Sequence, residues 1–143
     1  PILRVAASVW LMRYRRHCRK EAKRVARDMH DFLTSGNQVI GIIAMNDSPT
    51  CGWTKTINII DLVAKSKALG MELTDLVSPD FDRMKILLPS ILVPGQGLFM
   101  QELIALLRRQ AIRIPVFGFD PWCDVKKEAE RVVAAILGMR LRE

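Results

Sequence analysis

Val39-Ile40-Gly41-Ile42-Ile43-Ala44-Met45, followed at once by Asn46-Asp47-Ser48-Pro49-Thr50-Cys51-Gly52, decides how this chain is read. A short, wholly apolar, β-branched run reads as a central strand covered on both faces. The polar turn after it then lies at the strand's carboxyl end, where open α/β sheets bind ligands. The turn gathers the Asp47 carboxylate, the Ser48 and Thr50 hydroxyls and the Cys51 thiol. Pro49 stiffens its backbone and Gly52 permits close approach. Asp47, Ser48, Thr50, Cys51 and Gly52 are the candidate site.

Upstream, Leu11, Tyr14, Cys18, Ala22, Val25, Met29 and Phe32 recur at steps of three and four, the stripe of a long amphipathic helix ending at Thr34-Ser35-Gly36. Cys18 lies on that stripe and reads as a buried small hydrophobe. His17 and His30 have no ligand-like spacing and read as surface residues. Downstream, Thr54-Lys55-Thr56 precedes an apolar pattern through Ile57, Ile60, Leu62, Val63 and Leu69. Thr54 or Thr56 is expected to cap a helix whose N-terminus faces the turn, presenting free N–H groups and a positive dipole end to it.

Residues 71–94, broken by Pro79, Pro89 and Pro94, read as an irregular excursion with a short strand near Ile91-Leu92-Val93. Gly95-Gln96-Gly97 leads into a helix from Leu98 to Gln110. A lone Gly-x-Gly is weak evidence for phosphate binding and serves equally to let the backbone pass close to a neighbour. Ile114 to Phe119 reads as a second buried strand, with Asp120-Pro121-Trp122-Cys123-Asp124 as the loop at its carboxyl end. Asp124 opens a final helix, Val125 to Met139, with Val132, Val133, Ile136 and Leu137 inward. The alternation predicts one domain over residues 1–143, a three-layer α/β/α fold of flavodoxin- or Rossmann-like type with a small, mainly parallel sheet. If its strands are parallel, Cys51 and Cys123 share a rim.

At 143 residues, half of them hydrophobic, the chain has material for one core. Every apolar stretch is interrupted well short of the ~20 residues a spanning helix needs, and no secretory signal pattern is present. No membrane is therefore expected, and a cytoplasmic setting is the expectation. Three cysteines, an odd number matching no CxxC motif, read as free thiols or metal ligands rather than a disulfide framework. The formal charge of +7 is concentrated near the start, from Arg4 to Arg27. Such a field attracts nucleic acid, nucleotides or an anionic surface, or it is simply the solvated face of a helix. Opening on Pro1 without a leading strand, the chain is read as an amino-terminally truncated domain, a processed form or one with an upstream part unseen.

Gly41-Ile42-Ile43-Ala44-Met45-Asn46-Asp47-Ser48-Pro49-Thr50-Cys51-Gly52 resembles the strand-turn signature, ending Ser-Pro-Ser-Cys-Gly, of the thiouracil desulfurase-related family. Gly95-Gln96-Gly97-Leu98-Phe99 with Glu102-Leu103, and Ile114-Pro115 with Gly118-x-Asp120, are similar to later segments of that family. The likeness spans roughly Arg15 to Asp120. It implies a 4Fe–4S cluster held by three cysteines, with one iron open to take sulfur from a thiolated nucleobase. Cys51 matches the third ligand; Ser48 and Thr50 match flanking positions that orient substrate or water. Glu102 and Asp120 match family positions without a role that carries over. The family's other two ligand motifs, a Cys in an apolar turn and a Cys-Pro-Glu, do not occur here.

Without the resemblance, Cys51 has three readings: ligand, nucleophile activated at a helix N-terminus, or inert turn cysteine. A Cys-His hydrolase lacks a well-placed histidine. Met45 and Trp53 read as core packing. The leading function is an iron-sulfur desulfurase acting on a thiolated base or nucleotide. The alternatives are a non-catalytic nucleotide- or RNA-binding module using the basic helix, and a degenerate domain persisting as a homo-oligomer.

Overall fold

The computed structural model describes residues 2–65, 70, 85 and 88–140. Most of the expected excursion at 71–94, and Leu69, lie outside these described residues. The elements are α1 (Ile2–Thr34), β1 (Ile42–Met45), β2 (Lys55–Ile57), α2 (Ile59–Lys65), β3 (Leu92–Pro94), α3 (Leu98–Arg109), β4 (Val116–Phe119) and α4 (Val125–Arg140). β1 and β4 pair in parallel, Ile42 opposite Val116 and Met45 opposite Phe119. Two further bonds prolong the ladder, Ile42 N–H to Pro115 O at 2.9 Å and Asn46 N–H to Phe119 O at 2.7 Å. β2 and β3 form a separate antiparallel pair, Lys55 opposite Pro94 and Ile57 opposite Leu92. The result is a small α/β fold with one parallel and one antiparallel pair among the described residues.

The core lies where α1 and α3 cross one face of β1. Ala22 and Ala26 of α1, Ala44 of β1, and Met100, Leu103 and Leu107 of α3 are buried together. Two alanines on the inner stripe let the helices approach closely, and the long α3 side chains fill the space. Each fully buried Leu or Met there contributes about 1.5–3 kcal/mol. Charge reinforces the contact: Glu102 of α3 accepts bonds from Arg15 Nε at 3.2 Å and Arg19 Nε at 3.0 Å. Its carboxylate is only 12% exposed, and the Arg19 guanidinium, with Arg15 beside it, holds it below the usual carboxylate range.

Several expectations are corrected. β1 is not covered on both faces: Ala44 is buried, while Ile43 and Met45 are 60% and 51% exposed. Met45 is therefore not core packing, whereas Trp53 does pack against the core. Phe32 leaves the α1 stripe and is exposed, because the core partner α3 ends its contact before the last turn of α1 is reached. On α4 only Val132 is fully inward; Val133 and Leu137 are exposed, since α4 packs chiefly along β4. Lys55–Ile57 is a strand, so neither Thr54 nor Thr56 caps a helix. Asn58 caps α2 instead, its side chain accepting the Asp61 N–H at 3.2 Å. α1 ends where expected, α3 and α4 begin and end within a residue of their expected bounds, and Asp124 caps α4 through the Lys126 and Lys127 N–H groups.

Candidate functional site: the rim of the parallel pair

Turn 46–52 follows β1 and loop 120–124 follows β4, so Cys51 and Cys123 do lie on the same rim. The turn is braced from within. Ser48 Oγ accepts the Thr50 N–H at 3.2 Å and the Cys51 N–H at 3.0 Å. Ser48 O accepts the Gly52 N–H at 2.9 Å and the Thr56 hydroxyl at 3.0 Å. Asn46, buried at its base, accepts the Thr54 N–H and hydroxyl at 3.2 and 3.1 Å. The side chain of Asn46 abuts Gly118, where an added Cβ would meet Asn46 Oδ1 at 2.8 Å.

A helix N-terminus does meet this turn, but it belongs to α3. Gly97 N–H donates to Gly52 O at 2.9 Å, Leu98 N–H to Pro49 O at 2.9 Å, and Phe99 N–H to Thr50 O at 3.1 Å. Those are the donors a helix start would offer to an anion, and turn carbonyls already occupy them. Gly97 makes the approach possible: a Cβ there would sit 2.3 Å from Thr50 O. The Gly-x-Gly thus serves close backbone passage.

From the other side, α1 reaches the turn through Tyr14, whose hydroxyl bonds Thr50 Oγ1. Trp10 stacks on Tyr14 with ring centroids 4.9 Å apart. Cys18, one helical turn on, is 2% exposed and shares a neighbourhood with Tyr14 and Cys51. Burial pushes the Cys18 thiol up, the Tyr14 hydroxyl holding it down in part and the like charge of Cys51 adding to the rise. Burial likewise raises Cys51, against a hydrogen bond with Ser48, and raises Tyr14. Cys123 is exposed, and its thiol is raised mainly by the Asp120 carboxylate. None of the three thiols is poised as an activated nucleophile at neutral pH.

Asp47 is the exception in a turn otherwise satisfied. Its backbone adopts φ 66°, the left-handed region that short polar side chains tolerate. The residue is 7% exposed, and Oδ1 is buried with no hydrogen-bond partner among the described residues. Burial and then the neighbouring Asp120 carboxylate raise its pKa, with Lys55 opposing. An unpaired buried acceptor costs about 1–3 kcal/mol, and such groups concentrate at functional sites.

The structure therefore brings Asp47, Ser48, Thr50, Cys51 and Gly52 onto one rim, but with Ser48, Thr50 and Gly52 committed to bracing it. Glu102 holds α3 to α1. Asp120 donates its N–H to Glu128 Oε1 at 2.8 Å and accepts the Trp122 N–H at 3.1 Å. Sequence reasoning missed Tyr14, hidden as an ordinary member of an apolar stripe, and Asn46, whose buried amide organises the turn. His17 and His30 are exposed, as expected.

A cluster held by three thiolates needs three converging cysteines. Cys18 and Cys51 converge, Cys123 stands apart beside Asp120 and Glu128, and among the described residues no group of three or more His, Cys, Asp or Glu is placed to hold a metal ion. These residues do not fit such a cluster on their own. Among the described residues no helix is long and apolar enough to cross a membrane. Comparison of the chain with protein-family models, with curated proteins and with solved structures gives no match.

Proposed function

We propose that the rim of the β1–β4 pair binds a small planar heterocycle that donates an N–H to Asp47, of the thiolated-nucleobase class implied by the motif around Cys51. The observation that carries this reading is the buried, unpartnered Asp47 Oδ1, an acceptor already desolvated and held by the turn's own bonds. A ligand N–H supplies what the fold withholds, and a bond to a charged acceptor contributes about 1.5–3 kcal/mol. Cys51, half-buried in the same turn, adds a soft neighbour for a thiocarbonyl sulfur. Sulfur removal is the reaction the motif implies; with two converging thiols the proposal is limited to binding.

The finer architecture belongs to the same proposal: a three-layer α/β/α domain with α1 and α3 on the Ala44 face and α4 on the other. Burial of Ala44 against α3 and packing of α4 along β4 support it. A cytoplasmic setting is proposed with it, supported by three thiols that form no disulfide.

Calorimetric titration with 2-thiouracil and with uracil tests the reading. Saturable binding is expected, weakened about tenfold to a hundredfold by Asp47→Asn. Binding that ignores Asp47→Asn, or no binding of either base, overturns it.

A further inference from the structure

The cations of α1 divide into two sets. Arg15 and Arg19 turn toward α3 and share the single Glu102 carboxylate. Arg13, Arg16, Lys20, Lys23, Arg24 and Arg27 are exposed and take part in none of the ion pairs among the described residues. At 100° per residue these six fall within an arc of roughly 100°. They step along the axis every three or four residues, with Lys23 and Arg24 adjacent, over roughly 21 Å. Glu21 and Asp28 lie on its flank, and Asp31 follows the last cation.

The chemistry of this face selects its partner. Along the same turns the apolar side of α1 is spent on the core, with Cys18, Ala22 and Ala26 at 2%, 0% and 1% exposure. The exposed apolar side chains Val5, Val9, Trp10 and Met12 of α1 precede the row, so along the turns that carry the cations no apolar stripe runs beside them to submerge in a lipid surface. A flexible linear polyanion fits. Beside the row, a cleft of about 460 Å³ between α1 and α3 has an Ala26 and Leu106 floor, the Gln110 amide, and Lys23, Arg27 and His30 at its edge. An apolar floor with an amide and flanking cations suits a base attached to its phosphate.

We propose that the outward face of α1 binds the phosphate backbone of a single-stranded polynucleotide. The proposal does not depend on the rim.

The test uses fluorescence anisotropy with labelled oligouridylate. If all six cations engage, the slope of log affinity against log salt is roughly −4. The variant Arg16→Glu, Lys20→Glu, Arg24→Glu is expected to lose more than a hundredfold in affinity and to show a shallower slope, with an unchanged melting temperature because all three side chains are exposed. Asp47→Asn is expected to bind the strand like the parent chain, which separates this proposal from the rim reading. Undiminished binding by the triple variant overturns the proposal. So does tighter binding of duplex, binding of phosphatidylserine vesicles without oligouridylate, or inorganic polyphosphate binding as tightly as the oligonucleotide at equal charge.

Discussion

At the scale of single residues, the three cysteines have three different environments and so three different chemistries. Cys123 is exposed, Cys51 half-buried beside Ser48, and Cys18 almost wholly enclosed. Access and not acidity separates them, because all three thiols are raised. Maleimide labelling followed by peptide mapping is expected to modify Cys123 first, Cys51 more slowly and Cys18 only on unfolding, all faster as pH rises. Early modification of Cys18 would contradict its place in the core. The polar inventory of the turn was legible in the sequence, and the burial of Cys18 in its spacing. That Ser48 and Thr50 spend their hydroxyls on Cys51 N–H and Tyr14 was not, since a hydroxyl's partner is set by tertiary geometry.

Elements with long periods were readable, and those depending on a distant partner were not. α1, α3 and α4 follow from apolar spacing, and β1 and β4 from β-branched runs. Lys55–Ile57 is a strand only because Leu92–Pro94 arrives beside it, and no local signal in Thr-Lys-Thr announces that. The bare face of β1 escaped for the same reason, because an apolar residue does not state whether anything covers it. The junction of turn and α3 gives the prediction of this scale. Gly97→Ala forces a Cβ against the Thr50 carbonyl and the Gly52 nitrogen, and backbone atoms yield little. A loss of about 2–3 kcal/mol is expected in chemical denaturation. Gly138→Ala, in α4 with nothing within 4 Å, is the control, expected to stabilise by about 0.5–1 kcal/mol. Equal behaviour of the two variants would remove the packing argument for Gly97.

For the whole molecule, two carboxylates pull stability in opposite directions with pH. Glu128 accepts Arg131 Nε at 2.8 Å and Arg131 Nη2 at 2.7 Å together with the Asp120 N–H, tying α4 to the end of β4. These bonds lower its pKa to about 2, below the unfolded value of about 4.3. Its stabilisation is therefore complete above about pH 4.3 and is lost as pH falls toward 2. Asp47, raised in the folded state, contributes below its unfolded value of about 3.9 and loses that contribution as pH rises through its folded pKa. Melting temperature against pH is expected to fall steeply below pH 4 in the parent chain and less steeply in Glu128→Gln. An unaltered acid limb in that variant would show that Glu128 does not secure α4.

The bonds from α3 to the turn also make the site self-reporting. The amide hydrogens of Gly97, Leu98 and Phe99 end on the carbonyls of Gly52, Pro49 and Thr50, far away along the chain. Deuterium replaces them only when turn and helix part. Their exchange lifetimes therefore time the opening of the rim in the free protein.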